Sequence, residues 1–162
     1  MRSLPALRRA TEPDRLTREA RSRNMSRIRG RDTKPELLVR RLLHRAGFRY
    51  RLHQRTLPGR PDLVLPRWRA VLFVHGCFWH AHDCPNGVLP ATRREFWTRK
   101  LSATRSRDHE QARLLLDGGW RVGTVWECAI VGRGQWSAAE LLYELGSWLA
   151  GEEAHLEVRG RL

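Results

Sequence analysis

Apolar residues recur at helical spacing between positions 33 and 46, where Leu37, Leu38, Leu42 and Leu43, with Ala46, line one face. Thr33-Lys34-Pro35-Glu36 predicts where that helix starts. Thr33 serves as N-cap, the proline falls early in the first turn, and Glu36 sits at the third helical position of a capping box. Gly47 marks its end. The period then changes: Phe48-Arg49-Tyr50-Arg51-Leu52 alternates apolar and basic, as a half-buried strand does. The turn-rich Leu57-Pro58-Gly59-Arg60-Pro61 leads into the short apolar strand Asp62-Leu63-Val64-Leu65. After Pro66-Arg67, the run Ala70-Val71-Leu72-Phe73-Val74 reads as a strand buried on both faces. Residues 75–90 have no useful period, and a loop of that length points to function or to metal stabilisation. A helical region over 92–116, interrupted near Ser102, runs to Asp117-Gly118-Gly119, followed by a strand over 120–126 and an amphipathic helix over 137–149. Trp120, Trp126 and Trp148 lie on element faces and are assigned to the core. Together these elements predict one compact α/β domain with a mixed sheet.

The flanks differ. Residues 1–16 carry no apolar period and read as a disordered tail, and 152–162 as a carboxyl-terminal tail, which leaves a single domain over 17–151. No apolar run approaches the roughly 18 residues of a membrane span. The first ten residues lack the apolar centre of a secretory signal, so a soluble intracellular protein is expected. Charge narrows the partners: 31 Lys+Arg against 17 Asp+Glu give a net charge of +14, and the pI is about 11.4. Such a chain attracts polyanions. Lys34 and Lys100 are the only lysines; arginine, which pairs bidentately with phosphate and guanine, supplies the rest. The segment 17–31 concentrates Arg18, Arg21, Arg23, Arg27, Arg29 and Arg31 around Met25 and Ile28. It reads either as a short helix that orders on a phosphate backbone or as a solvated basic tail.

Candidate chemistry concentrates in two places. Within His75-Gly76-Cys77-Phe78-Trp79-His80-Ala81-His82-Asp83-Cys84 fall two of the three cysteines and three of the seven histidines, and Cys128 directly follows a strand. Three thiols with at least one of those histidines make a tetrahedral Zn2+ site; unliganded buried cysteines are the competing reading. If Cys77, His82, Cys84 and Cys128 take the metal, His75 and His80 remain free for catalysis. Asp62 opens a strand beside the strand that ends at Val74-His75, an arrangement that holds Mg2+ at a phosphodiester, although an isolated Pro-Asp pair also simply starts a strand. Phe78, Trp79 and Trp97 fit either base stacking or a roof over the metal.

Several blocks of residues also share a pattern with a known family. Leu57-Pro58-Gly59-Arg60-Pro61-Asp62, Val74-His75-Gly76-Cys77-Phe78-Trp79-His80 with His82 and Cys84, Pro90-Ala91-Thr92-Arg93 with Glu95-Phe96-Trp97, and Gly119-Trp120-Arg121-Val122 with Val125-Trp126-Glu127-Cys128-Ala129 closely resemble the very short patch repair (Vsr) endonucleases. Arg23-Asn24-Met25 and Arg31-Asp32-Thr33 fit as well, and the likeness spans roughly residues 17–150.

The resemblance implies a type II restriction-endonuclease-like core, its mixed sheet flanked by helices, with a structural zinc site. It implies a DNA mismatch endonuclease that nicks 5′ of the thymine in a T·G mismatch left by deamination of 5-methylcytosine. Asp62 and the main-chain carbonyl of Val74 would then bind catalytic Mg2+. His80 would be the general base, supported by His75 and Glu36, while Cys77, His82, Cys84 and Cys128 hold Zn2+. Phe78, Trp79 and Trp97 would insert beside the mismatch from the major groove and Met25 from the minor-groove side. The implied setting is a bacterial, cytoplasmic, nucleoid-associated monomer acting on double-stranded DNA, linked functionally to a DNA cytosine methyltransferase and a repair polymerase. Three departures stand out. Phe73-Val74-His75 lacks the lysine of the wider nuclease superfamily, Val74 stands where a threonine is expected, and Ala81 interrupts a run of histidines. Two other functions fit the same residues: a sequence-specific restriction endonuclease on this core, and a non-catalytic zinc-stabilised DNA-binding module.

Overall fold

The computed structural model describes residues 17, 19, 20, 23 and 30–161; the tail read over 1–16, Met25 and most of the basic segment lie outside the described residues. Helix α1 (Lys34–Arg45) is capped as its sequence predicts: the Thr33 hydroxyl accepts from the Glu36 N–H. The reciprocal bond differs, because Glu36 accepts from the backbone N–H of Asp32 at 2.9 Å and from the Thr33 hydroxyl at 3.0 Å rather than from the Thr33 N–H. Strand β1 (Arg51–Leu52) is shorter than the alternation over 48–52 suggests. Phe48 and Tyr50 instead pack beside the main core, where Phe48 meets Trp68 at a ring separation of 5.1 Å.

Strands β2 (Leu63–Leu65) and β3 (Ala70–His75) complete an antiparallel meander. Helix α2 (Arg94–Asp117) then crosses to β4 (Arg121–Trp126), which runs parallel to β3. No break occurs near Ser102. The segment contains neither proline nor glycine, an exposed serine costs a helix only a few tenths of a kcal/mol, and Leu101 and Leu115 pin the helix down. A short helix α3 (Glu127–Ile130), helix α4 (Ala138–Ala150) and strand β5 (His155–Val158) follow. Strand β5 corrects the reading of 152–162 as a tail: it pairs in parallel with β4 and buries Leu156 and Val158. Four residues with only two apolar side chains are too short to announce a strand. Arg121 secures the connection by donating to the carbonyls of Leu149 and Glu153.

Among the described residues the sheet therefore has the order β1-β2-β3-β4-β5, antiparallel on one side of β3 and parallel on the other. Alternation along β3 sends Ala70, Leu72 and Val74 into the layer beneath α1 and α4, and Val71 and Phe73 towards Leu115 of α2. Helices cover both faces, which is why β3 is apolar throughout. No described helix is long and apolar enough to cross a membrane.

Candidate active site

The carboxyl ends of β3 and β4 lie side by side, with His75 opposite Trp126, so the segments that leave them begin together. Ends of parallel strands are where α/β folds collect functional loops. Antiparallel pairing of β2 with β3 brings Asp62 to the same end, where its Oδ2 accepts from the Val74 N–H at 2.7 Å. Asp62, Val74, His80, Glu36, Trp79 and Glu127 line one cleft of about 870 Å3. Arg31, Arg55, Arg60 and Arg107 also line it, cations suited to the phosphates of a bound strand.

Electrostatics set Asp62 apart from a surface carboxylate. Burial pushes its carboxyl up to about 6 despite the Val74 hydrogen bond, and the charge of Glu36 adds to the rise. A divalent cation reverses that cost, which fits the hard oxygen donor a Mg2+ site requires. Glu36 both caps a helix and lines the cleft, because the amino terminus of α1 faces Asp62. It is 4% exposed and paired with buried Arg40 at 2.9 Å; Arg40 also reaches Asp32 at 2.5 Å.

His75 continues the set of β3 residues that faces α2. Its ring lies flat on that of His80, with centroids 3.7 Å apart. Burial lowers the His75 pKa to about 3, with the charge of His80 adding to it, so His75 is a neutral platform. His80 Nδ1 is 2.7 Å from Oδ2 of Asp108 on α2. A carboxylate can only accept, so Nδ1 carries a proton, and the neutral form of the ring has its lone pair on Nε2. A base oriented by a carboxylate is the constellation used to activate water. Sequence reasoning missed Asp108. Its one local signal is that it is the first carboxylate after Glu95 in a cationic stretch. Replacing Asp108 by asparagine is expected to release that tautomer and to lower the rate of any hydrolysis that uses His80 as base about 10- to 100-fold with an unchanged far-UV spectrum, a share of what general-base catalysis supplies. An unchanged rate would remove Asp108 from the site.

Behind the cleft, Cys77, His82, Cys84 and Cys128 are all buried, and one ligand atom from each lies within 4.8 Å of the others. Cys77 leaves β3 and Cys128 leaves β4 at matching positions, so a metal here ties the loop to a neighbouring strand. The Cys77 N–H also donates to Glu127, and the turn at Gly87 packs so tightly that a Cβ there would sit 1.9 Å from the carbonyl oxygen of His82. Burial pushes the Cys77 and Cys128 thiols up and the His82 imidazole down, so the thiols give up their protons to a cation and little else, and the neutral imidazole already has a lone pair to offer. Three sulfurs and one nitrogen suit tetrahedral zinc. His82, not His80, joins the sulfurs in this cluster.

Phe78, Trp79 and Trp97 form a group of their own, with ring centroids 5.0 to 6.1 Å apart. They do not roof the sulfur cluster. Trp126, read as core, does so instead, stacked on His82 at 4.0 Å. Half-buried aromatics beside a cationic cleft can wedge into a duplex.

Comparisons with known proteins point to one family. The family model for "DNA mismatch endonuclease Vsr" matches residues 13–86. The chain is 43% identical over 138 residues to the DNA mismatch endonuclease Vsr of Escherichia coli, covering 85% of this chain and 88% of that protein. It is 50% identical over 117 residues to the type II nicking enzyme V.XorIIP of Xanthomonas oryzae, covering 72% of this chain and 86% of that enzyme. A third relative, the type II nicking enzyme V.NmeAIP of Neisseria meningitidis, is 40% identical over 117 residues.

Proposed function

The chain belongs to the Vsr family of DNA mismatch endonucleases, and on that premise we propose that it nicks duplex DNA 5′ of the thymine in a T·G mismatch, in a Mg2+-dependent phosphodiester hydrolysis on a type II restriction-endonuclease-like core. One observation carries the reading: a half-buried carboxylate, Asp62, an imidazole oriented by a second carboxylate, and Trp79 of a three-ring aromatic group line a single arginine-rimmed cleft.

Asp62 and the Val74 carbonyl would hold Mg2+, which would supply charge stabilisation at the scissile phosphate and a lowered pKa of water. His80 takes the proton from the attacking water through Nε2, while Asp108 holds the tautomer and His75 the ring plane. Glu36 accepts hydrogen bonds at the cleft floor. Phe78, Trp79 and Trp97 enter from the major groove and Met25 from the minor-groove side, exploiting the lower cost of unstacking a mispair. Residues 17–31 bind the backbone as part of a single domain that extends through β5. Cys77, His82, Cys84 and Cys128 hold Zn2+, which fastens the loop carrying the wedge and the base. The protein acts as a monomer at the bacterial nucleoid, where a cytosine methyltransferase creates the deamination sites and a polymerase fills the gap.

Strand-specific nicking of a T·G duplex panel with varied flanking sequence, beside the matched T·A duplexes, tests this. The thymine strand of the mismatch is expected to be cut at least about 100-fold faster than the matched strand, the discrimination that roughly 3 kcal/mol of duplex distortion supplies. Equal cleavage of both would replace the proposal with a sequence-specific restriction enzyme. Binding without turnover in Mg2+ or Mn2+ would leave a non-catalytic DNA-binding module.

A further inference from the structure

Strand β5 runs parallel to β4 with Val158 opposite Val125, so the chain leaves β5 at the end of the sheet where β4 delivers Cys128. The next three residues fold back over the sulfur cluster. The Gly160 N–H donates to Cys128 Sγ at 3.3 Å. No side chain fits there, since a Cβ at 160 would lie 2.5 Å from the Cys128 carbonyl oxygen and 3.1 Å from its Cβ. Arg159 places Nε 2.8 Å from His82 Nε2 and a terminal nitrogen on the carboxylate of Asp83. Both flanks are anchored: Trp136 Nε1 donates to the Arg159 carbonyl at 2.8 Å, and the Arg161 N–H donates to the Gly134 carbonyl at 2.8 Å.

We infer that Arg159-Gly160-Arg161 is a clasp that positions the ligands of the Cys77–His82–Cys84–Cys128 cluster and sets how slowly its metal is released. The inference rests on the zinc reading given above. His82 turns Nδ1 towards Cys128 Sγ, 3.6 Å away, so Nδ1 is the nitrogen that faces a metal. Ligation there leaves the proton on Nε2, and Asp83 Oδ1 lies 3.6 Å from that atom. A proton on Nε2 makes the Arg159 contact donor to donor, so a small shift turns that N–H into a hydrogen bond to Asp83, which Arg159 holds in place. The result is a carboxylate–histidine–metal triad, the usual way in which an outer partner fixes the tautomer and angle of a ligand. The Gly160 N–H does the same for sulfur, since a donor aimed at a thiolate stabilises its charge. Arg159 and Gly160 are positioning residues: they touch ligands, not substrate.

Full-length protein and its Arg159→Gln and Gly160→Ala variants test the clasp through zinc content, the rate of zinc transfer to a chromogenic chelator, and the sulfur-to-cobalt absorption of Co2+-substituted protein. The full chain is expected to carry one zinc. Each variant is expected to release it roughly 10- to 100-fold faster, the usual effect of losing an outer-shell partner. In Gly160→Ala the sulfur-to-cobalt band shifts, because the added methyl drives the N–H off Cys128; a general loss of stability would not move that band in a protein still folded by circular dichroism. Release rates and spectra equal to those of the parent overturn the clasp alone. A full-length protein without zinc and without a sulfur-to-cobalt band overturns the zinc reading, and the clasp with it.

Discussion

Asp62→Asn protein is expected to bind a mismatched duplex with near-parent affinity and to nick it at least about 1000-fold more slowly, the loss that follows when several kcal/mol of charge stabilisation disappear. Asparagine is nearly isosteric, and its amide oxygen can still accept from the Val74 N–H, so the junction of β2 with β3 survives. What disappears is the negative charge that the proposed cation needs. A gel-shift assay beside a single-turnover nicking assay reads both quantities, and full Mg2+-dependent activity in the variant would remove Asp62 from the mechanism. The same residue sets a pH dependence. Its pKa of about 6 lies above the ordinary carboxylate value because burial and Glu36 oppose ionisation. At limiting Mg2+ the rate therefore falls as pH drops through about 6, and raising Mg2+ moves that limb to lower pH, since the cation favours the ionised form. Stability without Mg2+ runs the other way. The folded state binds the Asp62 proton more tightly than the unfolded chain does, so this contribution is fully present below the unfolded pKa and is lost as pH rises through about 6. Urea midpoints across that window should show this slope in the parent and lose it in Asp62→Asn.

A comparable loss is expected from Cys128→Ser. Zinc sites of this donor type contribute on the order of 10 kcal/mol to the folding of small domains, and here the ion would join the loop over 77–84 to the end of β4. A serine hydroxyl is a poor zinc ligand, and its neighbours Cys77 and Cys84 are too buried to find other partners. The variant should lose stoichiometric zinc, melt at markedly lower temperature and lose nicking activity by more than about 100-fold, because Phe78, Trp79 and His80 all lie on the released loop. Added Mg2+ restores nothing, which separates this loss from simple chelation of the catalytic ion. Zinc content by atomic absorption and Trp126 fluorescence, sensitive to its stack on His82, provide the readouts. Retention of zinc and activity in the variant would show that Cys128 is not a ligand.

Much of this protein is legible locally. Helix α1 begins at Thr33 because a hydroxyl, a proline and a glutamate act within one turn, and β3 is apolar throughout because both of its faces are covered. The metal cluster could be suspected because three of its four donors fall within eight consecutive residues. Other features left no such trace. Helix α2 runs through Ser102 because tertiary contacts at Leu101 and Leu115 outweigh a weak local preference. Strand β5 exists because β4 offers a free edge, not because four residues demand a strand.

Local order alone thus determined a basic α/β chain, its principal helix start, its buried central strand and the residue types able to hold zinc and magnesium. Only the folded chain decided that His82 joins the sulfurs while His80 turns to Asp108, that Glu36 lines the cleft as well as capping a helix, and that Arg159 and Gly160 close over Cys128. Capping and alternation are written within a few residues of each other, where backbone geometry repeats. A partnership between residues 28, 32 or 77 positions apart depends on strand register and crossover direction, and neither has a periodic signature in the chain.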